Sequence, residues 1–350
     1  MPKISIVIPT YNAEKYIKRC INSLLQQTLY DIEIVCVDDC SSDGTMQILS
    51  KYAKKDKRIK LLSLNENRGT LMARKAGVMK ASGEYIMFSD NDDWYENDAC
   101  EKLYDKAVEK NADILMYSIH KVSISQDEKD DTKEQIIDRG YGRAKAENVE
   151  KEHCIPVENR MNWLWNKIVR ASVCKKAYEA TDDIYLTVAE DTYACWLIHY
   201  YAKNFVAIDE VYYNWNITTG VSNKFMDIPS FDKFCKCMSD YEKAMYSFFD
   251  KVNAPEYVRE AYENDTEPKS SYCVNKWRMS LSEEDAAEGM KILLKYYNPN
   301  RISTDIHHRW NKMENDRQEK IKGLRNEIKK IRSSKRYKVI TKFATLLRGK

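Results

Sequence analysis

Between residues 3 and 120, short apolar runs rich in β-branched residues alternate with stretches whose apolar positions recur every three or four residues. Runs of the first kind, bounded by turn-forming residues, predict strands at 4–8, 33–37, 59–63, 85–89 and 113–118. The second pattern predicts helices. Residues 14–27 place Tyr16, Ile17, Cys20, Ile21, Leu24 and Leu25 on one face, and 45–54 and 70–80 read the same way. Strand and helix in alternation predict an α/β fold with a mostly parallel sheet, because parallel neighbours need a crossover and the crossover helices cover the sheet. Residues 121–158 are charged and weakly periodic and read as an irregular insertion. An ordered block then resumes over 161–222, with helical segments over 230–297. The expected division is a sheet domain over 1–222, a helical extension over 223–308 and a basic helical tail over 309–350.

Composition narrows the class. No apolar run approaches the ~20 residues of a spanning helix, and the first residues lead straight into a strand, so no leader peptide is expected. The ten cysteines are scattered, which reads as reduced thiols. Cys235 and Cys237 lack a second pair at zinc-finger spacing. The net charge of +3 hides an asymmetry: residues 309–350 hold 15 Lys/Arg against 4 Asp/Glu, a net +11, whereas residues 1–308 are a net −8. Within the tail, Ile321, Leu324, Ile328 and Ile331 follow a 3-4-3 spacing, so 310–332 reads as a helix able to pair with a second copy. Residues 335–348 set Tyr337, Ile340, Phe343, Ala344 and Leu347 against basic residues. Such a helix suits either an anionic membrane surface or the chain's own acidic body. No nucleic-acid module accompanies it, so nucleic acid is not an expected partner.

The polar residues that stand out fall at predicted strand ends, where ligands bind in open α/β sheets. Asp90-Asn91-Asp92-Asp93 crowds three carboxylates into four residues, a repulsion that a hard divalent cation such as Mg²⁺ or Mn²⁺ relieves. The competing reading is a solvated acidic turn that caps the next helix. Asp38-Asp39 closes an apolar strand and offers a carboxylate to a nucleobase or ribose, while Ser41-Ser42-Asp43-Gly44-Thr45 reads as a turn and helix cap.

Four motifs in order, Pro9-Thr10-Tyr11-Asn12, Val37–Thr45 around Asp38-Asp39, Asn65–Gly69 with Ala73-Arg74, and Phe88–Trp94 around Asp90 and Asp92, resemble family 2 glycosyltransferases. The resemblance is dense over residues 3–120 and loose over 160–222. It implies a GT-A catalytic domain at 1–222, a nucleotide-diphosphate sugar donor with UDP favoured, a divalent metal, and inversion at the anomeric carbon. Carried onto this chain, it places Pro9, Tyr11 and Asp39 at the base, Arg74 near the phosphates, and Asp90 and Asp92 at the sugar, ribose and metal. Cys40 stands where the family usually has glycine. Glu190-Asp191 resembles the family's Glu-Asp pair, which makes Asp191 the expected base, although acids at a helix start are also favoured by the macrodipole. Trp165-Asn166-Lys167 matches a segment near the donor sugar and puts Lys167 by the diphosphate. Tyr212-Tyr213-Asn214-Trp215 matches the late aromatic strand, without the histidine many members carry before Ser222. The implied acceptor is a glycan or a lipid-linked molecule of the bacterial surface, reached from the cytoplasmic face of the membrane. Nucleotidyl transfer, or a non-catalytic nucleotide-sugar-binding scaffold, are the alternatives.

Overall fold

A computed structural model describes residues 1–126, 132–141, 148–150, 152–154, 163–218, 226–265 and 268–333. The sheet is organised around β1 (Ile4–Thr10), whose residues are buried on both faces, as a strand between two layers of helices must be. Alternate β1 side chains serve two different cores: Val7 packs on one side of the sheet, and Ile4, Ile6 and Ile8 pack on the other. Flanking β1 are β2 (Ile32–Asp38) and β4 (Tyr85–Phe88), with β3 (Ile59–Ser63) beyond β2, all parallel. Between these strands run α1 (Ile17–Leu25), α2 (Thr45–Lys55) and α3 (Thr70–Lys80), which agree with the predicted helices to within a few residues at the termini.

Register fixes what emerges at the strand ends. Thr10 lies beside Asp38, and Val7 beside Phe88, so the segments after β1, β2 and β4 leave the sheet at one edge. Beyond β4 the pairing turns mixed. After β5 (Trp94–Tyr95) and α4 (Ala99–Glu109), β6 (Ile114–Gln126) pairs antiparallel with β9 (Lys167–Arg170), which also pairs antiparallel with β4. After α5 (Ala171–Glu179) and α6 (Glu190–Tyr201), β10 (Asn204–Asn216) pairs parallel to β6 and antiparallel to β5. The GT-A expectation stands, but its parallel pairing belongs to the first four large strands and to β6 with β10.

Two expectations need correction. Where an irregular insertion was predicted, β6 continues to Gln126 and pairs with β7 (Thr132–Tyr141), while β8 (Asn148–Glu150) pairs with β10. The first compact unit also runs on to Lys269 instead of ending at 222. The reason is α7 (Ile228–Lys251), whose buried Tyr241 and Phe248 join the same core as Tyr193 and Trp196 of α6. Tyr193 meets Tyr241 edge-on at 6.2 Å, and α8 (Glu256–Asp265) brings Tyr262 to Trp196 at 5.3 Å.

The second unit, Ser270–Lys350, contains most of α9 (Lys269–Ser280), then α10 (Ala286–Tyr296) and α11 (Pro299–Ser333). Helix α11 passes through residue 308 without a break, so no boundary falls there, and the 310–332 helix is its distal part. The proposed amphipathic segment 335–348 lies outside the described residues. No disulfide joins any of the ten cysteines, and among the described residues no helix is long and apolar enough to cross a membrane.

Helix α3 lies unusually close to the sheet because Gly77 faces it. A Cβ there would stand 2.5 Å from Val7 Cγ1 and 3.1 Å from Val37 Cγ2. Gly77→Ala should therefore force α3 outward and destabilise the domain by about 1–3 kcal/mol despite the gain in helix propensity. Urea unfolding of the two proteins checks this, and an unchanged midpoint would contradict the close contact.

Candidate active site

Strand order reverses at β1: the chain moves outward to β2 and β3, then returns to place β4 on the other side. The crevice above such a switch point is where α/β sheets bind ligands. A cavity of about 400 Å³ opens there, lined by Pro9, Tyr11, Asp39, Arg74, Asp90 and Asp92, together with Thr70, Asn91, Thr187 and Glu190.

The walls are tied together by backbone contacts. The carboxylate of Asp39 accepts from the backbone N–H of Arg68 at 2.7 Å and of Gly69 at 2.8 Å, so it locks the end of β2 to the start of α3. Gly69 has φ +82° and sits against the Leu186 carbonyl, a conformation and an approach that favour glycine. Cys40, at φ +64°, also adopts the left-handed conformation, which accounts for glycine being usual in the motif. The Pro9 carbonyl accepts from Asn91 Nδ2 at 3.1 Å, and Tyr11 stands half-exposed at the rim.

Arg74 is the electrostatic centre. It is 2 % exposed, and α3 delivers its guanidinium to three carboxylates. Nη2 donates to Asp90 Oδ1 at 2.9 Å, and Nη1 donates to Asp191 Oδ1 and, at 3.3 Å, to Glu190 Oε1. Burial opposes the charge on Arg74, but Asp191, Asp90 and Glu190 outweigh it and hold its pKa well above the ordinary value. Burial raises Asp191 most; Arg74 opposes that rise, Glu190 and Asp90 add to it, and the carboxyl is pushed up to about 7. Glu190 is raised as well, first by burial. Both acids occupy the first turn of α6, where the helix dipole favours negative charge, and Ala189 before them is left-handed at φ +61°.

The acidic cluster at 90–93 divides into two roles. Asp93 is 1 % exposed and turns inward, accepting from Tyr213 OH and the Asn216 N–H at 2.7 Å each. Burial, then the charges of Asp92 and Asp90, raise its pKa well above the carboxylate range. Asp90 and Asp92 face the cavity, and their hard oxygens fit a divalent cation that takes its other ligands from phosphate and water. Among the described residues no three His, Cys, Asp or Glu side chains gather into a metal cage, so any ion would depend on such outside ligands.

The family described as Glycosyl transferase family 2 matches residues 5–177, which include β1, Asp39, Arg74 and the Asp90–Asp93 segment. Residues 5–177 are a family 2 glycosyltransferase domain. The chain is 30% identical over 221 residues to the putative glycosyltransferase EpsH of Bacillus subtilis, covering 62% of this chain and 61% of EpsH. It is 40% identical over 110 residues to the putative teichuronic acid biosynthesis glycosyltransferase TuaG of the same organism, covering 31% of this chain and 44% of TuaG. The matched part is thus less than two thirds of either relative's length. In fold it is similar to S. aureus TarS 1–349 in complex with UDP-GlcNAc, with a TM-score of 0.53 at 22% identity over 86% of this chain and 83% of that one.

The expected site residues do not all meet. Pro9, Tyr11, Asp39, Arg74, Asp90 and Asp92 share the cavity. Asp191 is reached through Arg74, whereas its neighbour Glu190 lines the cavity directly. Lys167 is fully buried, donating to the Trp163 carbonyl and, at 2.8 Å, to Asn166 Oδ1. Burial lowers its pKa, and it is not among the cavity-lining residues. The Glu190-Asp191 motif does not distinguish which acid lines the cavity, and the Asp93–Tyr213 bond joins two motifs 120 residues apart, of which the aromatic strand was the signal available.

Arg74→Met leaves the carboxylates without their shared cation. Stability should fall by about 3–5 kcal/mol. Loss of the cation raises the carboxyl pKa values, so the deficit should be largest above pH 7 and should shrink as the acids protonate at lower pH. Denaturant melts at pH 8 and pH 5 measure the difference; an equal deficit at both would contradict the charge argument.

Proposed function

We propose that the domain transfers a sugar, with inversion, from a nucleotide-diphosphate sugar to an acceptor hydroxyl, and that UDP is the favoured nucleotide. The observation that carries this reading is the convergence of Asp90, Glu190 and Asp191 on Arg74 beside the switch-point cavity. The reading draws support from the family match and from the UDP-GlcNAc named for the TarS structure. Tyr11 and Pro9 offer surfaces for a base at the end of β1, and Asp39 orders the turn beside them. Asp90 and Asp92 would hold Mn²⁺ or Mg²⁺ on the diphosphate; such an ion supplies charge stabilisation to the leaving nucleotide.

In this proposal Asp191 removes the acceptor proton. Its carboxyl, pushed up to about 7, is matched to that task near neutral pH. The oxygen then attacks the face of the sugar opposite the nucleotide, which inverts the anomeric carbon. A second reading gives the proton to Glu190, because Glu190 lines the cavity and Asp191 does not. The names of the relatives favour a cell-surface glycan as acceptor. Attachment of the basic tail to the cytoplasmic face of the membrane, and pairing of copies through 310–332, belong to the same proposal.

Asp191→Asn should lower kcat by about 10²–10⁴-fold while UDP still binds, and Asp92→Ala should weaken UDP binding only when Mn²⁺ is present. Full turnover in Asp191→Asn with loss in Glu190→Gln would transfer the base role to Glu190. Because the base must be ionised, kcat/KM should fall as pH drops through about 7, with the limb belonging to the coupled Arg74, Glu190 and Asp191 cluster. Pyrophosphate release in place of UDP would replace sugar transfer with nucleotidyl transfer.

A further inference from the structure

The cavity-facing carboxylates Asp90 and Asp92 sit on a short segment between β4 and β5, and a segment of this kind needs support to hold a fixed geometry. Arg74 holds one side chain from the α3 side. From beneath, the support comes from β10. Tyr213 OH accepts from the backbone N–H of Asp90 at 3.1 Å and donates to Asp93 Oδ2 at 2.7 Å. The other oxygen of Asp93 accepts from the Asn216 N–H at 2.7 Å. One phenol therefore fixes both ends of the four-residue acidic segment.

The phenol is itself immobilised. Tyr213 is completely buried, stacked on Trp165 at 5.4 Å and 6°, and met edge-on by Tyr95 at 4.8 Å. The segment beyond Asp93 is joined to the same strand: Tyr95 and Trp94 pair with Tyr213 and Asn214, and Asn214 Nδ2 donates to Glu96 Oε1 at 2.8 Å. A buried carboxylate and a buried phenol cost desolvation, and an apolar pair would fill the same space without it. Their use here fits a demand for directional bonds to the acidic segment.

We infer that Tyr213 and Asp93 are positioning residues, which set Asp90 and Asp92 at the spacing a metal-bound diphosphate requires. The functional half of this inference rests on the proposed donor site; the structural half does not. Two readouts separate them. In hydrogen exchange of the full chain, Tyr213→Phe should speed exchange in the peptide containing residues 90–93 by tenfold or more, while β1 keeps its protection. Unchanged protection at 90–93 would overturn the clamp, whether or not the protein binds nucleotide.

In titrations of the same proteins, Tyr213→Phe should reduce by tenfold or more the gain in UDP affinity that Mn²⁺ gives. Affinity for UDP in EDTA should stay at the wild-type value, an outcome that general loosening of the fold would not produce. An intact Mn²⁺ gain in the variant would overturn the positioning role. Wild-type protein that binds no UDP would instead overturn the donor-site reading, with exchange still deciding the clamp. Asp93→Asn provides a second variant should Tyr213→Phe not fold. Its amide has one acceptor oxygen for two donors, the Tyr213 phenol and the Asn216 N–H, so one of the two bonds is lost in either orientation, and the same two losses are expected.

Discussion

Burying the Arg74 guanidinium is unfavourable unless negative groups surround it, and that requirement binds together three segments that are distant in the chain. Helix α3 supplies the cation, the end of β4 supplies Asp90, and the start of α6 supplies Glu190 and Asp191. None of the acids is comfortable alone, since burial raises Glu190 and Asp191, and each is held largely by the same partner. The arrangement gives Arg74 two faces: it lines the cavity where phosphate would lie, and it anchors the acids around it. In the proposed donor site, a diphosphate would meet a cation already shared with three carboxylates.

The sheet makes this arrangement possible by bringing strand ends to one edge. Parallel pairing of β1 with β2 and β4 sends Pro9, Asp39 and Asp90 in the same direction. The close approach of α3 at Gly77 sets the depth at which Arg74 sits relative to those ends. Asp39 then spends both carboxylate oxygens on the turn that begins α3, so a residue expected to read a base also holds the helix that carries the cation.

The first half of the fold was legible because its signals are local. Apolar runs and helical spacing mark β1 to β4 and α1 to α3 within windows of about ten residues, and the polar residues that interrupt them mark the strand ends. The ladder between β6 and β7 was not legible, because a segment rich in charged residues such as Lys133, Glu134 and Asp138 reads as solvated until a partner strand is known. The limit at 222 failed for a related reason. The apolar face of α7 was readable, but nothing local says that its partner is α6. At the site, the five acids of Asp90–Asp93 and Glu190-Asp191 could be found by type and order. Which of them faces inward depends on Tyr213, 120 residues from Asp93, and on Arg74. The same holds for Lys167, a charge in the sequence and a core hydrogen-bond donor in the fold.

The bond from the Asp90 N–H to Tyr213 spans 123 residues of chain. At synthesis rates of about 5–20 residues per second, the acidic segment waits roughly 6–25 seconds for the strand that fixes it. The parallel block β1 to β4 can pair during that interval, but the nascent chain holds its carboxylates unsupported, and Arg74 lacks Glu190 and Asp191 until late in the same interval. Full support of the site is thus a late event in the life of the polypeptide, and a message cut short before β10 would yield a chain that keeps Arg74 and its three acids but lacks the strand that fixes Asp90–Asp93.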